Sequence, residues 1–415
     1  MKASRLIFVL GAFFFSQCDT ANNVDPRYET YFIKYFGTEG DQSGADIVVN
    51  NDGTMLLLGN SVLPTGVANP FLVKTDPNGN LIWLLNFGAN EIGVDVEVIK
   101  TGSHAGSYIV ASNVGNEENA KIRLWRISAS GSFIDSLTVT NIAPAGTRQY
   151  VNSVTSLEIN SGFVVTGYSD GSLMEESSPE TDGPTDKDIL VFHVDDSFSS
   201  VENVVSKGGE LNGAGVRVFE LPNDPAGKMV LFSYTDRPFH SSAFGFNFSY
   251  DIIFSGVPVG SLVGTEEDRE ILASVIRTPL HMGEGFLMAG TSVANGGSQG
   301  SVYLVKFNNT FEYKGLDKKL DIGLNLECVD VDAGPDGYYI LANELNDTGF
   351  RDLVFIRTLP DGEPVGFKKF GALDGDDSGG AIAALPDGRI AIVATMGLKT
   401  RKKLALIVVN HNGEF

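Results

Sequence analysis

The chain has 415 residues, 42% apolar and 20% charged, and its 48 glycines exceed the usual share of about 7%. That composition excludes a disordered chain and points to a turn-rich β protein rather than a helical one. With 52 acidic against 30 basic residues the net charge is −22, the wrong sign for releasing counterions from a phosphate backbone, so no nucleic-acid partner is expected.

The first element is an export signal. Lys2 and Arg5 precede an uncharged apolar run at residues 6–15, long enough for a secretory signal and too short to span a bilayer. The run ends Phe15-Ser16-Gln17-Cys18, which resembles the lipobox of bacterial lipoproteins and implies lipidation of Cys18, although Gln17 replaces the usual small residue. The expected organisation is a signal peptide at 1–17, a lipidated cysteine and tether at 18–27, and one domain at 28–415. Cleavage before Cys18 leaves 28 basic against 52 acidic residues, a net charge of −24. Several acyl chains on one cysteine hold a protein on a membrane stably, where a single chain is marginal.

From Gly44 to Gly88 the chain reads as four strands. These are an alternating strand at 45–49, the turn Asn51-Asp52-Gly53, a strand at 54–59, a third at 71–76, the turn Pro77-Asn78-Gly79 and a fourth at 80–87. Aligning later segments on the small residue that ends the second strand gives Gly59, Ala111, Gly167, Ser233, Gly290, Ala342 and Ala394, seven copies spaced roughly 52 to 66 residues apart. The fourth copy, 215–260, is the most degenerate. The seventh stops after its third strand, while a spare strand at 28–36 precedes the first copy and ends Tyr35-Phe36-Gly37, like Asn86-Phe87-Gly88 and Lys369-Phe370-Gly371.

The fold expected is therefore all-β: a seven-bladed β-propeller of four-stranded antiparallel blades, closed by the N-terminal strand completing the last blade. Closure removes the exposed edges of an open array. The Asp-Gly turns, the Leu-Val-Lys-x-Asp-x-x-Gly-Asn third strand and the aromatic-Gly ending resemble the bacterial seven-bladed propeller repeat family. With the anchor, the chain resembles outer-membrane propeller lipoproteins of the Bacteroidota type.

In such a ring the first-to-second and third-to-fourth connections share one face. Here they are mostly short, as in Asn160-Ser161-Gly162, Pro335-Asp336-Gly337, Pro360-Asp361-Gly362 and Pro386-Asp387-Gly388. Longer segments fall on the other face: 168–187, 234–247, 291–300 and 343–352, with between-blade stretches at 38–43, 264–270 and 372–378. They carry Glu39, Asp41, Glu117, Glu118, Glu175, Glu176, Glu180, Asp182, Glu266, Glu267, Asp268, Asp374, Asp376 and Asp377. Functional residues concentrate on loops held by a rigid scaffold, although acidic loops also simply keep an exported protein soluble. Residues 19–27 can reach at most about 30 Å, which places the short-turn face toward the membrane.

Local chemistry is sparse. Asp374-Gly375-Asp376-Asp377-Ser378-Gly379 looks like a calcium loop but lacks a closing bidentate Glu, and Glu39-Gly40-Asp41-Gln42-Ser43-Gly44 repeats it, as a turn device would. Tyr234, Phe239, His240, Phe244, Phe246, Phe248 and Tyr250 cluster in the degenerate copy, where aromatics either stack on a ligand or plug the fold beneath a loop. Trp83 and Trp125 read as blade packing, and Cys328 as an inner-strand residue. His104, His193, His281 and His411 are scattered, so neither a metal nor a cofactor is expected, and no nucleophile motif is present. The function expected is a non-catalytic, outer-membrane-anchored protein-binding or scaffolding subunit of a membrane complex. A partner- or glycan-binding site would draw on Tyr234, Phe239, Phe244, Phe246, Phe248, Glu175, Glu176, Glu266, Glu267 and Asp268. The alternatives are a glycan-binding surface lipoprotein and a polysaccharide-acting propeller enzyme. Which leaflet carries the chain is left open.

Overall fold

A computed structural model of the chain describes residues 30–37, 39–115, 119–140, 142, 147–170, 187–207, 212–221, 228–236, 247–253, 259–264, 268–346, 349–371 and 375–415, without the side chains of 203–207, 259, 260, 313 and 314. Its turns follow from their residues. Gly53 has φ 78° and Gly79 φ 71°, a left-handed backbone that costs glycine no Cβ clash. Each lets its hairpin close, with Gly53 N donating to Asn50 O at 2.9 Å and Gly79 N to Asp76 O at 2.9 Å.

Among the described residues, twenty-eight strands, β1 to β28 in chain order, form seven four-stranded antiparallel sheets. Blade one consists of β2 (Asp41–Val49), β3 (Met55–Val62), β4 (Ala68–Thr75) and β5 (Leu81–Asn86). Blades two to six follow over residues 91–138, 148–207, 213–263, 268–320 and 326–370. Blade seven combines β26 (Ser378–Ala384), β27 (Ile390–Leu398) and β28 (Arg401–Val409) with the N-terminal β1 (Phe32–Phe36), whose register runs from Phe32 opposite Val408 to Phe36 opposite Leu404. The ring is a seven-bladed β-propeller closed by its first strand.

Burial explains the order of strands within a blade. The second strand is apolar on both sides, as in the fully buried run from Met55 to Ser61, because each of its faces meets a neighbouring blade. The fourth is largely exposed. Seven apolar clusters fill the seven blade-to-blade interfaces, including the closing one, where Phe32, Leu404 and Leu406 pack on Ile47, Leu57 and Phe71.

The innermost strand of every blade carries a one-residue bulge at an equivalent place: Ala45, Val94, Asn152, Val216, Ala273, Val329 and Gly380 are the extra residues. In blade two this register sets Ser112, not Ala111, opposite Gly93, so the repeat position there is Ser112, one residue later than sequence alignment places it. Innermost strands also begin earlier than expected. Asp41 pairs with Val62 and Asp268 with Ala294, so these acidic residues belong to strands, since even a polar stretch gains a ladder when the second strand extends alongside it.

Candidate functional site

An innermost strand has a neighbour on one side only, so half of its backbone N–H groups face the axis without a ladder partner. At the interfaces of blades one with two, two with three and six with seven, carboxylates from the preceding blade take them up. Asp46 accepts from Val96 N at 2.8 Å, Asp95 from Val154 N at 2.7 Å and Asp330 from Ile382 N at 2.9 Å; one turn of the pleat further, Glu97 accepts from Ser156 N at 2.8 Å and Asp332 from Ala384 N at 2.7 Å. Arg217 of blade four reaches across to Asp95 of blade two, with Nη1 3.1 Å from Oδ2, and lies 3.9 Å from Glu97. Its side chain is 27% exposed. Although burial opposes its charge, Asp95, Glu97 and Asp46 hold its proton more tightly than usual. Burial, reinforced by the charge of and a hydrogen bond with Asp95, pushes Asp46 well above the ordinary carboxyl range. The axis is thus filled by a polar plug.

Beside this plug, at the long-loop mouth, a cavity of about 560 Å³ opens across blades three to six. Its floor is apolar, with Val216, Ile271, Leu272, Ala273 and Leu326, and its rim carries Tyr234, Arg269, Glu327 and Arg351. Arg351 is pinned by Asp376, whose Oδ1 lies 3.0 Å from Nε and Oδ2 2.9 Å from Nη2; Lys402 adds a contact at 2.8 Å. Held first by Arg351, the Asp376 carboxyl falls below the ordinary range. Asp376 therefore serves as an anchor between strands rather than as an open ligand. Cys328 also lines the cavity, and burial followed by Asp330 and Glu327 raises its thiol. Among the described residues no three histidine, cysteine or carboxylate side chains are grouped to hold a metal.

The expected site residues divide sharply. Tyr234 lines the cavity. Phe248 does not reach it: it is fully buried, its ring 5.2 Å from that of Tyr303, in the interface of blades four and five. Asp268 starts a strand and pairs with Lys319. Cys18, Glu175, Glu176, Phe239, Phe244, Phe246, Glu266 and Glu267, with Glu117, Glu118, Glu180, Asp182, His240 and Asp374, lie outside the described residues. Trp125 packs on Phe87 and Phe133 and donates to Glu91 at 3.0 Å, which is blade packing.

Sequence reasoning missed the axial carboxylates, Arg217, and a recurring staple. In five blades the residue after the repeat's small position accepts the N–H of the next blade's innermost strand: Asn60 from Gly93, Asn113 from Val151, Thr291 from Cys328, Asn343 from Gly379 and Thr395 from Gly44. Blades three and four place Tyr168 and Tyr234 there instead. Tyr168 stacks on Tyr150 at 4.8 Å, and burial, then Tyr150 and Tyr234, push its hydroxyl up to about 12.

No family model and no curated protein matches the sequence. Solved structures are similar in fold. An ulvan lyase described as a new family of polysaccharide lyase is 9% identical, covering 92% of this chain and 96% of its own, with a TM-score of 0.53. Raptor of Chaetomium thermophilum is 8% identical over 92% of this chain and 28% of its own, with a TM-score of 0.52. An acylaminoacyl peptidase of Pyrococcus horikoshii is 11% identical over 88% of this chain, with a TM-score of 0.44, and this chain spans 53% of that one. Identities this low show the β-propeller fold alone.

Proposed function

We propose that this chain is a non-catalytic propeller lipoprotein, held on an outer membrane through Cys18, whose long-loop face binds a partner in a membrane complex. The observation that carries this reading is the inequality of the two faces. The 560 Å³ cavity is lined in part by the described long segments 291–300 and 343–352, whereas the opposite face is closed by tight turns. The chain leaves the ring on that tight face: Arg389 donates to Thr30 O at 2.9 Å and to Pro77 O at 2.8 Å, which ties the base of the tether to the turns. A lipid anchor there presents the cavity away from the bilayer. The rim favours holding over chemistry, because Arg351 is already neutralised and the Cys328 thiol is kept neutral. Purifying the tagged chain in mild detergent from its own outer membrane, with mass spectrometry of what stays bound and of Cys18, tests the reading. We expect an acylated Cys18 and a partner in fixed ratio; a solitary chain with a free Cys18 thiol would overturn it.

A second reading, glycan capture at the same mouth, is favoured by one observation: Tyr234, one of the two tyrosines that replace the inter-blade staple, lines the cavity.

A further inference from the structure

Where a repeat keeps one device in five copies and abandons it in two neighbours, the exception needs a reason of its own. Blade three compensates for losing the staple, because Asn152 Nδ2 donates to Gly215 O at 2.9 Å and so holds the strand that Tyr168 no longer holds. Tyr234 packs on the core between blades four and five instead of stapling a backbone N–H. Tyr234 lines the cavity, while Tyr168 of the neighbouring blade stacks on Tyr150 and takes the ammonium of Lys187 over its ring at 4.4 Å. A rigid aromatic wall at an open, polar mouth is suited to lie against a flat ligand ring.

The polar side chains of the same cavity are mostly donors, although the chain is strongly acidic overall. Arg269 stands exposed at the rim and pairs with no acceptor among the described residues. Asn325 and Asn343 each spend their Oδ1 on a backbone N–H, of Gly300 at 2.8 Å and of Gly379 at 2.8 Å, which leaves their Nδ2 donors for the cavity that both line. Arg351 is taken by Asp376, so Arg269 is the guanidinium left for a ligand, and Glu327 is the carboxylate acceptor in the same lining. An unpaired guanidinium fork matches a carboxylate with two parallel hydrogen bonds. Amide donors and one carboxylate acceptor match ring hydroxyls. The volume falls within the range of about 300–1,000 Å³ typical of small-ligand pockets.

We infer that this cavity is a subsite for an acidic sugar residue, its carboxylate on Arg269, its hydroxyls on Asn325, Asn343 and Glu327, and its ring against Tyr234. The inference rests on the glycan reading above and adds the charge of the sugar. Carboxylates farther than about 8 Å do not forbid it, since at physiological salt their field is screened beyond that distance.

The test is calorimetric titration of the full chain at 150 mM salt with trigalacturonate and, separately, with uncharged galactotriose. A charge-assisted pair contributes about 1.5 to 3 kcal/mol, so we expect trigalacturonate to bind about ten- to a hundredfold more tightly. Arg269→Gln should abolish that preference while keeping the affinity for galactotriose, and Arg269→Lys should restore part of it. Arg269 is exposed and unpaired, so these variants do not endanger the fold. Tyr234→Ala should weaken both sugars, and Tyr234→Phe neither. Equal binding of the two sugars, or a preference that survives in Arg269→Gln, overturns the acidic subsite and leaves glycan capture standing. Binding of neither sugar overturns both and leaves the protein partner.

Discussion

Asp332 lies on the innermost strand of blade six, its carboxylate turned into the axis, where it accepts from Ala384 N and Ala333 N at 2.7 Å each. Burial dominates those two hydrogen bonds, and with Asp330 beside it the carboxyl is pushed up to about 6. An unfolded Asp has released its proton above about 3.9, so between about pH 4 and 6 the folded chain binds more protons than the unfolded one. Stability from this group is therefore complete below about pH 4 and is lost as pH rises through about 6, a loss of about 2 to 3 kcal/mol by linkage. Asp46 and Asp330 are raised by burial as well and slope the same way. Urea midpoints taken from pH 4 to 7 should fall, and Asp332→Asn should flatten part of that fall, whatever its effect on absolute stability through the hydrogen bond it loses. An unchanged slope in the variant would assign the proton to another group.

At the level of elements, the blades are joined by more than apolar surface. Asn60 at the end of β3 both donates to Gly93 O at 2.9 Å and accepts from Gly93 N at 2.7 Å, so one amide satisfies both backbone groups at the edge of the next blade. The site is buried, and no water replaces a lost partner cheaply there. Asn60→Ala leaves a donor and an acceptor without partners, and should lower unfolding stability by about 3 kcal/mol in urea titration. A loss below about 0.5 kcal/mol, the range of ordinary surface changes, would mean that the staple only decorates an interface already set by Leu58, Val96 and Val110. The same logic explains the bulges. An innermost strand that must pair outward and meet the next blade gains its twist from one extra residue, whether the residue after it is a carboxylate, as in Asp46, Asp95 and Asp330, or not, as in Ser153, Arg217, Ser274 and Ala381.

On the scale of the whole molecule, the architecture was legible because it is periodic. Turn glycines, apolar second strands and aromatic-Gly endings recur at one spacing, and the displaced ending Tyr35-Phe36-Gly37 already announced closure. What escaped was whatever depends on register or on distance across the ring. Sequence alignment selects Ala111 rather than Ser112 because a bulge is invisible in a run of similar residues. Arg217 meets Asp95 across 122 positions of sequence, so no local pattern joins them. A signal existed all the same: the pairs Asp46-Ile47, Asp95-Val96 and Asp330-Val331 stand at equivalent places in three blades, and reading copies in columns would have singled them out. The column of Asn60, Asn113, Thr291, Asn343 and Thr395 would likewise have exposed Tyr168 and Tyr234 as exceptions.

Closure itself is the property on which every interface depends, and β1 tests it within two adjacent residues. Phe32 is 4% exposed and packs with Leu404, Leu406 and Val408 in the cluster between blades seven and one; Ile33, its neighbour in the same strand, is 38% exposed. If β1 is the strand that locks the ring, Phe32→Ala opens a cavity in the closing interface and should cost about 3 to 5 kcal/mol, while Ile33→Ala stays within about 0.5 kcal/mol. Because the seven interfaces form a circuit with no free end, loosening one exposes a face on each of the two blades it joined. The loss should therefore appear as a shifted single transition rather than as an early melting of blade seven alone. Urea unfolding followed by far-UV circular dichroism and by tryptophan fluorescence separates the two outcomes, since Trp83 and Trp125 report on blades one and two. Coincident curves in Phe32→Ala support a ring locked by its first strand. Curves that part company, or a Phe32→Ala cost no greater than that of Ile33→Ala, would show that the ring holds without β1.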